Sequence, residues 1–219
     1  MEIKVVKQIL EWNEDCSNEI KNTFNDKNIF MINVMGSPGA GKTSLIMNLI
    51  KELRNEYKIA VIEGDIAGQI DAEKIKQMDI PVVQLNTDGA CHIEAMSIKH
   101  ILEYFNLDEV DVIIVENIGN LVCPAEFNIG EDIRVAILSI PEGDDKVEKY
   151  PLMFSTSEIL VLNKYDMKEH FDFDDNKVEN VAKELNPNIS VYRVSNKTKS
   201  GLDELVNALK NAINKKIKK

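Results

Sequence analysis

Ile29-Phe30-Met31-Ile32-Asn33-Val34-Met35 runs directly into Gly36-Ser37-Pro38-Gly39-Ala40-Gly41-Lys42-Thr43, and the second stretch fits the pattern G-x-x-x-x-G-K-S/T at every fixed position. The first stretch reads as a buried strand, and Ser44 to Asn55, which follow, read as an amphipathic helix. Strand, loop and helix in that order are the context a phosphate-cradling loop requires. Gly36, Gly39 and Gly41 let the backbone wrap closely, so that successive N–H groups and the helix N-terminus converge on one anionic centre, with Ser37, Ala40 and Ser44 completing the cradle. Lys42 places a point charge near the β- and γ-phosphates. The Thr43 hydroxyl is the expected ligand for a phosphate-bound magnesium ion. A glycine-rich turn with a chance lysine would need neither flanking element.

A second motif bears on which nucleotide. Glu158-Ile159-Leu160-Val161-Leu162 reads as a late strand and runs into Asn163-Lys164-Tyr165-Asp166, an N-K-x-D box. The Asp166 carboxylate can accept from guanine N1–H and from its exocyclic amine, donors that adenine does not offer in that arrangement. A site built on such bonds rejects an analogue lacking them by roughly 10⁴-fold or more. Lys164 would lay its aliphatic stem along the base.

Behind these two boxes the other parts of a GTPase can be sought in order. Val110-Asp111-Val112-Ile113-Ile114-Val115 reads as a buried strand ending at Glu116-Asn117-Ile118-Gly119-Asn120, where γ-phosphate chemistry is expected, and the motif is E-N-x-G-N rather than D-x-x-G. Ile59 to Ile62 ends in Glu63-Gly64-Asp65, a further carboxylate at the carboxyl end of a strand, the edge that lines the ligand crevice of an open parallel sheet. Val191-Tyr192-Arg193-Val194 leads into Ser195-Asn196-Lys197-Thr198, which would close over guanine O6 through backbone donors. Each of these also reads as an ordinary polar exit from a strand; their order behind the phosphate loop is what favours function. Lys42, Asp65 and Glu116 are the catalytic candidates, with Thr43, Asp65 and Glu116 around magnesium.

The runs G-S-P-G-A-G-K-T at 36–43, E-G-D at 63–65, T-D-G-A-C-H at 87–92, E-N-I-G-N-L-V-C-P at 116–124, P-E-G-D-D-K at 141–146 and N-K-Y-D at 163–166 resemble the HypB family. These are GTPase accessory proteins for nickel insertion into nickel–iron hydrogenase, and some also serve urease. The resemblance covers nearly the whole chain and combines the GTPase boxes with a C-H and a C-P pair. It implies a seven-stranded, mostly parallel α/β sheet flanked by helices, of the SIMIBI class of P-loop NTPases. It also implies slow GTP hydrolysis to GDP, GTP-promoted homodimerisation, a zinc or nickel site near the dimer interface, and hydrogenase-maturation proteins and the hydrogenase large subunit as partners.

The donor chemistry bears on that metal site directly. Cys91-His92 lies where a loop gives way to a helix from about Ile93 to Phe105, and Cys123 follows Gly119 by four residues, so two thiolates and one imidazole come from loops after different strands. Three ligands do not close a tetrahedral structural site, whereas two subunits on a two-fold axis would pool theirs. Sulfur with imidazole suits zinc or nickel better than magnesium or calcium. On composition alone, Cys91 and Cys123 read equally as small buried hydrophobes and His92 as a surface histidine. Cys16 stands apart, on an amphipathic helix from Val5 to Phe24 with Ile9, Trp12, Cys16, Ile20 and Phe24 at helical spacing, and reads as core. The chain has no N-terminal C-x-x-C cluster and no histidine-rich stretch, features that serve high-affinity nickel binding or storage in the family members that carry them. Pro141 to Pro151 reads as a polar loop long enough to be functional; the resemblance implies that it lies near the subunit interface, where Lys146 or Lys149 would reach a partner subunit's nucleotide, and the alternative is a solvated charged loop.

Composition agrees with this reading. With 219 residues, 44% hydrophobic content and strands alternating with helical patterns, the expectation is a single domain over residues 1–219, with an N-terminal helix at about 3–25. A net charge of −11 argues against nucleic acid as a partner. The clustered Lys215, Lys216, Lys218 and Lys219 close the last helix. Met1-Glu2-Ile3-Lys4 shows no signal peptide, no apolar run reaches membrane-spanning length, and an odd count of three cysteines suggests no disulfide framework, so the expected compartment is the cytoplasm. Rival readings are a related chaperone GTPase for urease or a cobalamin enzyme without its own metal site, a small-molecule kinase, and a signalling switch that uses GTP alone.

Overall fold

Continuous apolar runs bounded by polar turns need burial on both faces, which a parallel sheet covered by helices on each side provides. The structure, a computed structural model, describes residues 4–65, 70–87 and 89–217, and the side chains of 4–9, 65, 70 and 71 lie outside the described set. Among the described residues seven strands form: β1 (Phe30–Gly36), β2 (Ile59–Asp65), β3 (Val82–Asn86), β4 (Val112–Glu116), β5 (Ile133–Ser139), β6 (Ile159–Asn163) and β7 (Ser190–Arg193). They make one sheet in the order β3-β2-β4-β1-β5-β6-β7, and every pairing is parallel. Strands β1, β4 and β6 are buried at every residue. Because β4 inserts between β1 and β2, the carboxyl ends of these three strands converge on one crevice.

The helices are α1 (Lys4–Lys27), α2 (Lys42–Leu53), α3 (Ile70–Lys76), α4 (Ala95–Ile101), α5 (Cys123–Glu126), α6 (Lys146–Lys149), α7 (Pro151–Ser155), α8 (Asp175–Leu185) and α9 (Leu202–Ile217). Alternation along β1 divides the core. Phe30, Ile32 and Val34 pack with Leu45 and Leu49 of α2 and Leu205 and Leu209 of α9. Met31 faces the other way, onto Ile20 and Phe24 of α1 and Ile98 of α4. Met35 on that side joins Phe154 of α7 and Val178 of α8. Among the described residues, no helix is long and apolar enough to cross a membrane.

The N-terminal helix is present, and Cys16, Ile20 and Phe24 are in the core as the spacing predicts. Trp12 is not: it is 70% exposed. The reason is geometric. Among the described side chains of α1, Asn13 is the first that is buried, its amide accepting from the Ala95 N–H at 2.9 Å and donating to the Asn128 carbonyl at 2.7 Å, while Leu10 to Trp12 before it are exposed. The side chains of Val5 and Ile9 lie outside the described residues, as do Lys218 and Lys219.

The stretch from Pro141 to Pro151 is not a loop. A 3-10 turn (Ile140–Glu142) is closed by a capping box, in which Glu142 accepts from the Ser139 N–H at 2.8 Å; α6 follows, and Pro151 opens α7. Prolines at first-turn positions are preset for helical φ, which a reading of polar composition overlooks. Lys149 is paired with Asp145 one turn back, and the Lys146 ammonium lies 5.6 Å from the Tyr150 ring centroid.

Phe24 is fully buried and Trp12 is not, so truncations at the two aromatic sites should separate. Phe24→Ala is expected to cost about 3–5 kcal/mol of unfolding free energy, and Trp12→Ala to stay within about 0.5 kcal/mol of wild type, by urea denaturation.

Candidate functional site

The phosphate-side cleft opens at the carboxyl ends of β1, β2 and β4, with a volume of about 400 Å³. Gly41 takes a φ of 98°, in the left-handed region, and a Cβ there would collide with the Asn163 amide. Only glycine serves both demands. Lys42 is 7% exposed and lies back along the loop, its ammonium 3.3 Å from the Gly36 carbonyl and 3.2 Å from that of Ser37. The Thr43 hydroxyl donates to Glu116 Oε1 at 2.8 Å. A hydroxyl beside a carboxylate in a phosphate cleft is the oxygen-donor chemistry that magnesium takes. Ser37 behaves differently from the other loop residues: its hydroxyl is bound to the Glu142 carboxylate, which anchors the loop to the turn after β5.

Asp65 ends β2 in register with Asn86, and its side chain lies outside the described residues. Two residues earlier, Glu63 stands in register with Glu116 on the neighbouring strand. Both line the cleft at 3% and 6% exposure, and Lys74 of α3 lines it too. Sequence reading noted Glu63 only as part of E-G-D and missed Lys74. Period-two alternation from Asp65 was the available signal for Glu63; nothing local marks Lys74, which the fold brings in from a helix.

A second cleft, of about 320 Å³, lies between the N-K-x-D box and the loop after β7, lined by Lys164, Asp166, Met167, Asn196 and Lys197 with Gly41, Ser44 and Asn163. Asn163 joins the two clefts: its amide donates to the Ala40 carbonyl at 2.7 Å and accepts from Asn196 at 3.0 Å. Lys164, itself at a φ of 55°, donates to the Gly39 carbonyl at 2.8 Å. The Ser195 hydroxyl donates to Asp166 Oδ1 at 2.6 Å, leaving the second carboxylate oxygen for a ligand. The Ser195 N–H is committed to the Ser200 carbonyl at 3.0 Å, so this residue acts on the box through its hydroxyl rather than as the backbone donor the sequence suggested.

Cys91, His92 and Cys123 come together, with their ligand atoms all within 4.8 Å of one another. The two sulfurs are 3.0 Å apart, and the His92 ring stacks on Phe127 with centroids 4.0 Å apart. Cys123 is not in a loop, as its sequence context suggested, but heads α5 with Pro124 behind it. The neighbouring Cys91 thiol first, and burial second, push the Cys123 thiol above its ordinary pKa. Two thiols this close resist double ionisation, and a divalent ion relieves that resistance by displacing their protons.

The metal cluster and the phosphate cleft share one segment. From Glu116 it passes Gly119, where a Cβ would meet Pro38 at 2.8 Å, so the absence of a side chain permits contact with the phosphate loop. Asn120 then donates its N–H to the Gly36 carbonyl at 3.1 Å, and its side chain accepts from the Val122 N–H at 2.7 Å, immediately before Cys123.

Residues 30–193 match the model of the CobW/HypB/UreG family nucleotide-binding domain. The probable hydrogenase maturation factor HypB of Methanocaldococcus jannaschii is 38% identical over 211 residues, covering 96% of each chain. The crystal structure of HypB from Archaeoglobus fulgidus superposes with a TM-score of 0.88 at 34% identity, covering 94% of this chain and 100% of that one. The crystal structure of HypB from Helicobacter pylori in complex with nickel does so with a TM-score of 0.87 at 34% identity, covering 93% and 95%. With the phosphate loop, the seven-stranded parallel sheet and these relatives in agreement, the chain belongs to the CobW/HypB/UreG family, and its full-length relatives are HypB hydrogenase maturation factors.

Proposed function

We propose that the protein is a GTP-hydrolysing metallochaperone that binds nickel or zinc at Cys91, His92 and Cys123 and assists nickel insertion during hydrogenase maturation. The observation that carries this reading is the continuity of one short segment, Glu116 to Cys123, which lines the phosphate cleft at one end and supplies a sulfur to the metal cluster at the other. The names of the relatives support the cargo, and one solved relative was crystallised with nickel. A relative from Helicobacter pylori, 34% identical, is a hydrogenase/urease maturation factor, which favours urease as the second reading for the receiving enzyme.

In this reading Asp166 accepts from the guanine edge while Ser195 holds its other oxygen, Asn163 and Asn196 fasten the base side to the phosphate loop, and Lys164 covers the base. Gly36, Ser37, Gly39, Ala40, Gly41, Ser44 and Gly119 shape the phosphate cradle. Thr43 and Glu116, with Asp65, would hold magnesium, which when bound offsets phosphate charge. Lys42 moves from the loop carbonyls to the phosphate oxygens, and Asp65 or Glu116 orients the attacking water. Without a glutamine in the place Ras-like proteins use, hydrolysis is slow and serves as a timer for metal handover. Three donors per subunit leave a tetrahedral ion one short, so GTP-promoted homodimerisation would complete the coordination, in the cytoplasm, before delivery to maturation partners and the hydrogenase large subunit.

Guanine recognition is tested by Asp166→Asn. The wild type should prefer GDP over ADP by roughly 10⁴-fold, and the variant should lose GDP and gain xanthosine diphosphate, whose 2-carbonyl accepts from the new amide, measured by titration calorimetry. Retained GDP preference would remove Asp166 from the base site. Metal binding is tested by nickel and zinc per subunit, together with oligomeric mass, in GDP and in a non-hydrolysable GTP analogue. Cys91→Ala with Cys123→Ala should abolish tight metal binding, and in the wild type the analogue should drive dimerisation. Unchanged metal content in the double variant would make the two cysteines packing residues and leave the cargo reading without support.

A further inference from the structure

Behind the base cleft, and outside its lining, sits a carboxylate that three donors share. Asp175 is the first residue of α8, and its side chain is only 9% exposed. The Tyr165 hydroxyl donates to its Oδ2 at 2.9 Å, Arg193 Nε donates to the same oxygen at 2.8 Å, and the Lys168 ammonium pairs with Oδ1. Burial by itself would raise the pKa of this carboxyl, yet the bonds from Lys168, Arg193 and Tyr165 override it and hold the group well below the usual carboxylate range. The ion pairing extends along α8: Arg193 also donates to Glu179 at 2.8 Å, and Glu179 takes Lys183 at 2.5 Å.

The three donors belong to the two walls of the base cleft. Tyr165 and Lys168 are on the 3-10 turn (Tyr165–His170) that carries Asp166. Arg193 is the last residue of β7, two positions before Ser195, whose hydroxyl meets Asp166. A backbone bond from the Tyr165 N–H to the Val194 carbonyl at 3.1 Å joins the same two walls. Turn and strand end therefore meet on one carboxylate fixed to the start of α8.

We propose that Asp175 is a positioning residue for base recognition: it sets the separation of the two walls, and through Tyr165 and Arg193 it aligns Asp166 and Ser195 for the guanine edge without touching the nucleotide. The inference rests on the guanine reading given above and adds the residue that tunes it. Asparagine is close to isosteric with aspartate, but it removes the charge and turns one oxygen into a donor that faces the existing donors. Breaking a buried pair on one side leaves the remaining cations uncompensated. Binding of the phosphate moiety, built on Gly36 to Thr43, involves none of these contacts.

The test compares GDP, ADP and inorganic pyrophosphate by titration calorimetry on wild type, Asp175→Asn and Tyr165→Phe. Asp175→Asn should lose about 10- to 100-fold in GDP affinity and narrow the GDP-over-ADP preference by a similar factor, with pyrophosphate affinity within about twofold of wild type. Tyr165→Phe removes one neutral donor and keeps the ion pairs, so it should fold even where Asp175→Asn fails to. It should show the same selective loss at a few-fold. Equal losses for GDP and pyrophosphate would make Asp175 a fold-stabilising residue and overturn the proposal, as would GDP affinity unchanged in both variants. A wild type with no preference for GDP over ADP would overturn the guanine reading and this one together. A wild type that prefers GDP, with variants that keep that preference, overturns only this one.

Discussion

The peptide hydrogen bond from Asn120 to the Gly36 carbonyl, at 3.1 Å, fastens the exit of β4 to the start of the phosphate loop, and much of the site's arrangement follows from it. Two parallel neighbours, β1 and β4, would otherwise diverge once their ladder ends, since a strand's exit has no further backbone partner. Gly119, lying against Pro38, is what lets the chains approach closely enough for the bond to form. Beyond it the segment is held from the far side by a buried polar chain. Asn117 donates to Asn33 Oδ1 at 3.1 Å, Asn33 donates to Glu131 at 3.3 Å, and Glu131 pairs with Arg134. Arg134 in turn donates to the Ala125 and Phe127 carbonyls at 3.2 and 3.3 Å, satisfying backbone acceptors at the end of α5. The eleven-residue path from nucleotide cleft to metal cluster and beyond is thus pinned at both ends, with Cys123 between.

That arrangement makes a particular kind of coupling physically available. A ligand shifts an equilibrium only through contacts that differ between two states. Glu116 meets Thr43 at 2.8 Å, a contact that phosphate and magnesium chemistry at Thr43 would have to alter. Cys123 rides on the same segment, whereas Cys91 sits in the stretch after β3, held by a local turn in which Thr87 accepts from the Ala90 N–H at 3.0 Å. Movement transmitted along 116–122 would displace one sulfur relative to the other. Ligand geometry at a metal is narrow, within about 0.2 Å in bond length, so small displacements carry large differences in affinity.

The fold was legible because its signals are local and redundant: a phosphate loop between an apolar run and an amphipathic one, then more apolar runs at regular spacing. That Cys91, His92 and Cys123 form a group, and that the N-K-x-D box stands at a strand end, could be anticipated for a similar reason, each sitting in a short run of its own. What escaped was decided at a distance. Trp12 keeps the helical period of Cys16 and Ile20, but the period says nothing about which part of the stripe another element covers, and Trp12 is left exposed. The Pro141 to Pro151 stretch looked like a loop on polarity, while two prolines and a capping box make it a succession of short helical turns. Lys74, Asp175 and the Asn33–Asn117–Glu131 chain carry no motif; only the packing of separate elements gives them partners.

An acidic chain can still offer a cleft suited to an anion. The net charge is −11, yet the phosphate cleft is lined by Lys42 and Lys74, and Lys164 lies along the loop between the clefts. An anionic nucleotide is held by backbone N–H groups and a helix N-terminus as much as by side-chain cations, so the overall balance need not favour it. The same balance would suit a cation as cargo under the proposed function: divalent ions are drawn toward a negative surface, and Glu94 stands 3.5 Å from His92. The softness of sulfur and imidazole then selects among the ions that arrive, since magnesium and calcium prefer the oxygen donors of the neighbouring cleft. Under the proposed function, oxygen donors at Thr43 and Glu116 and soft donors at Cys91, His92 and Cys123, joined by one tethered segment, would favour different ions.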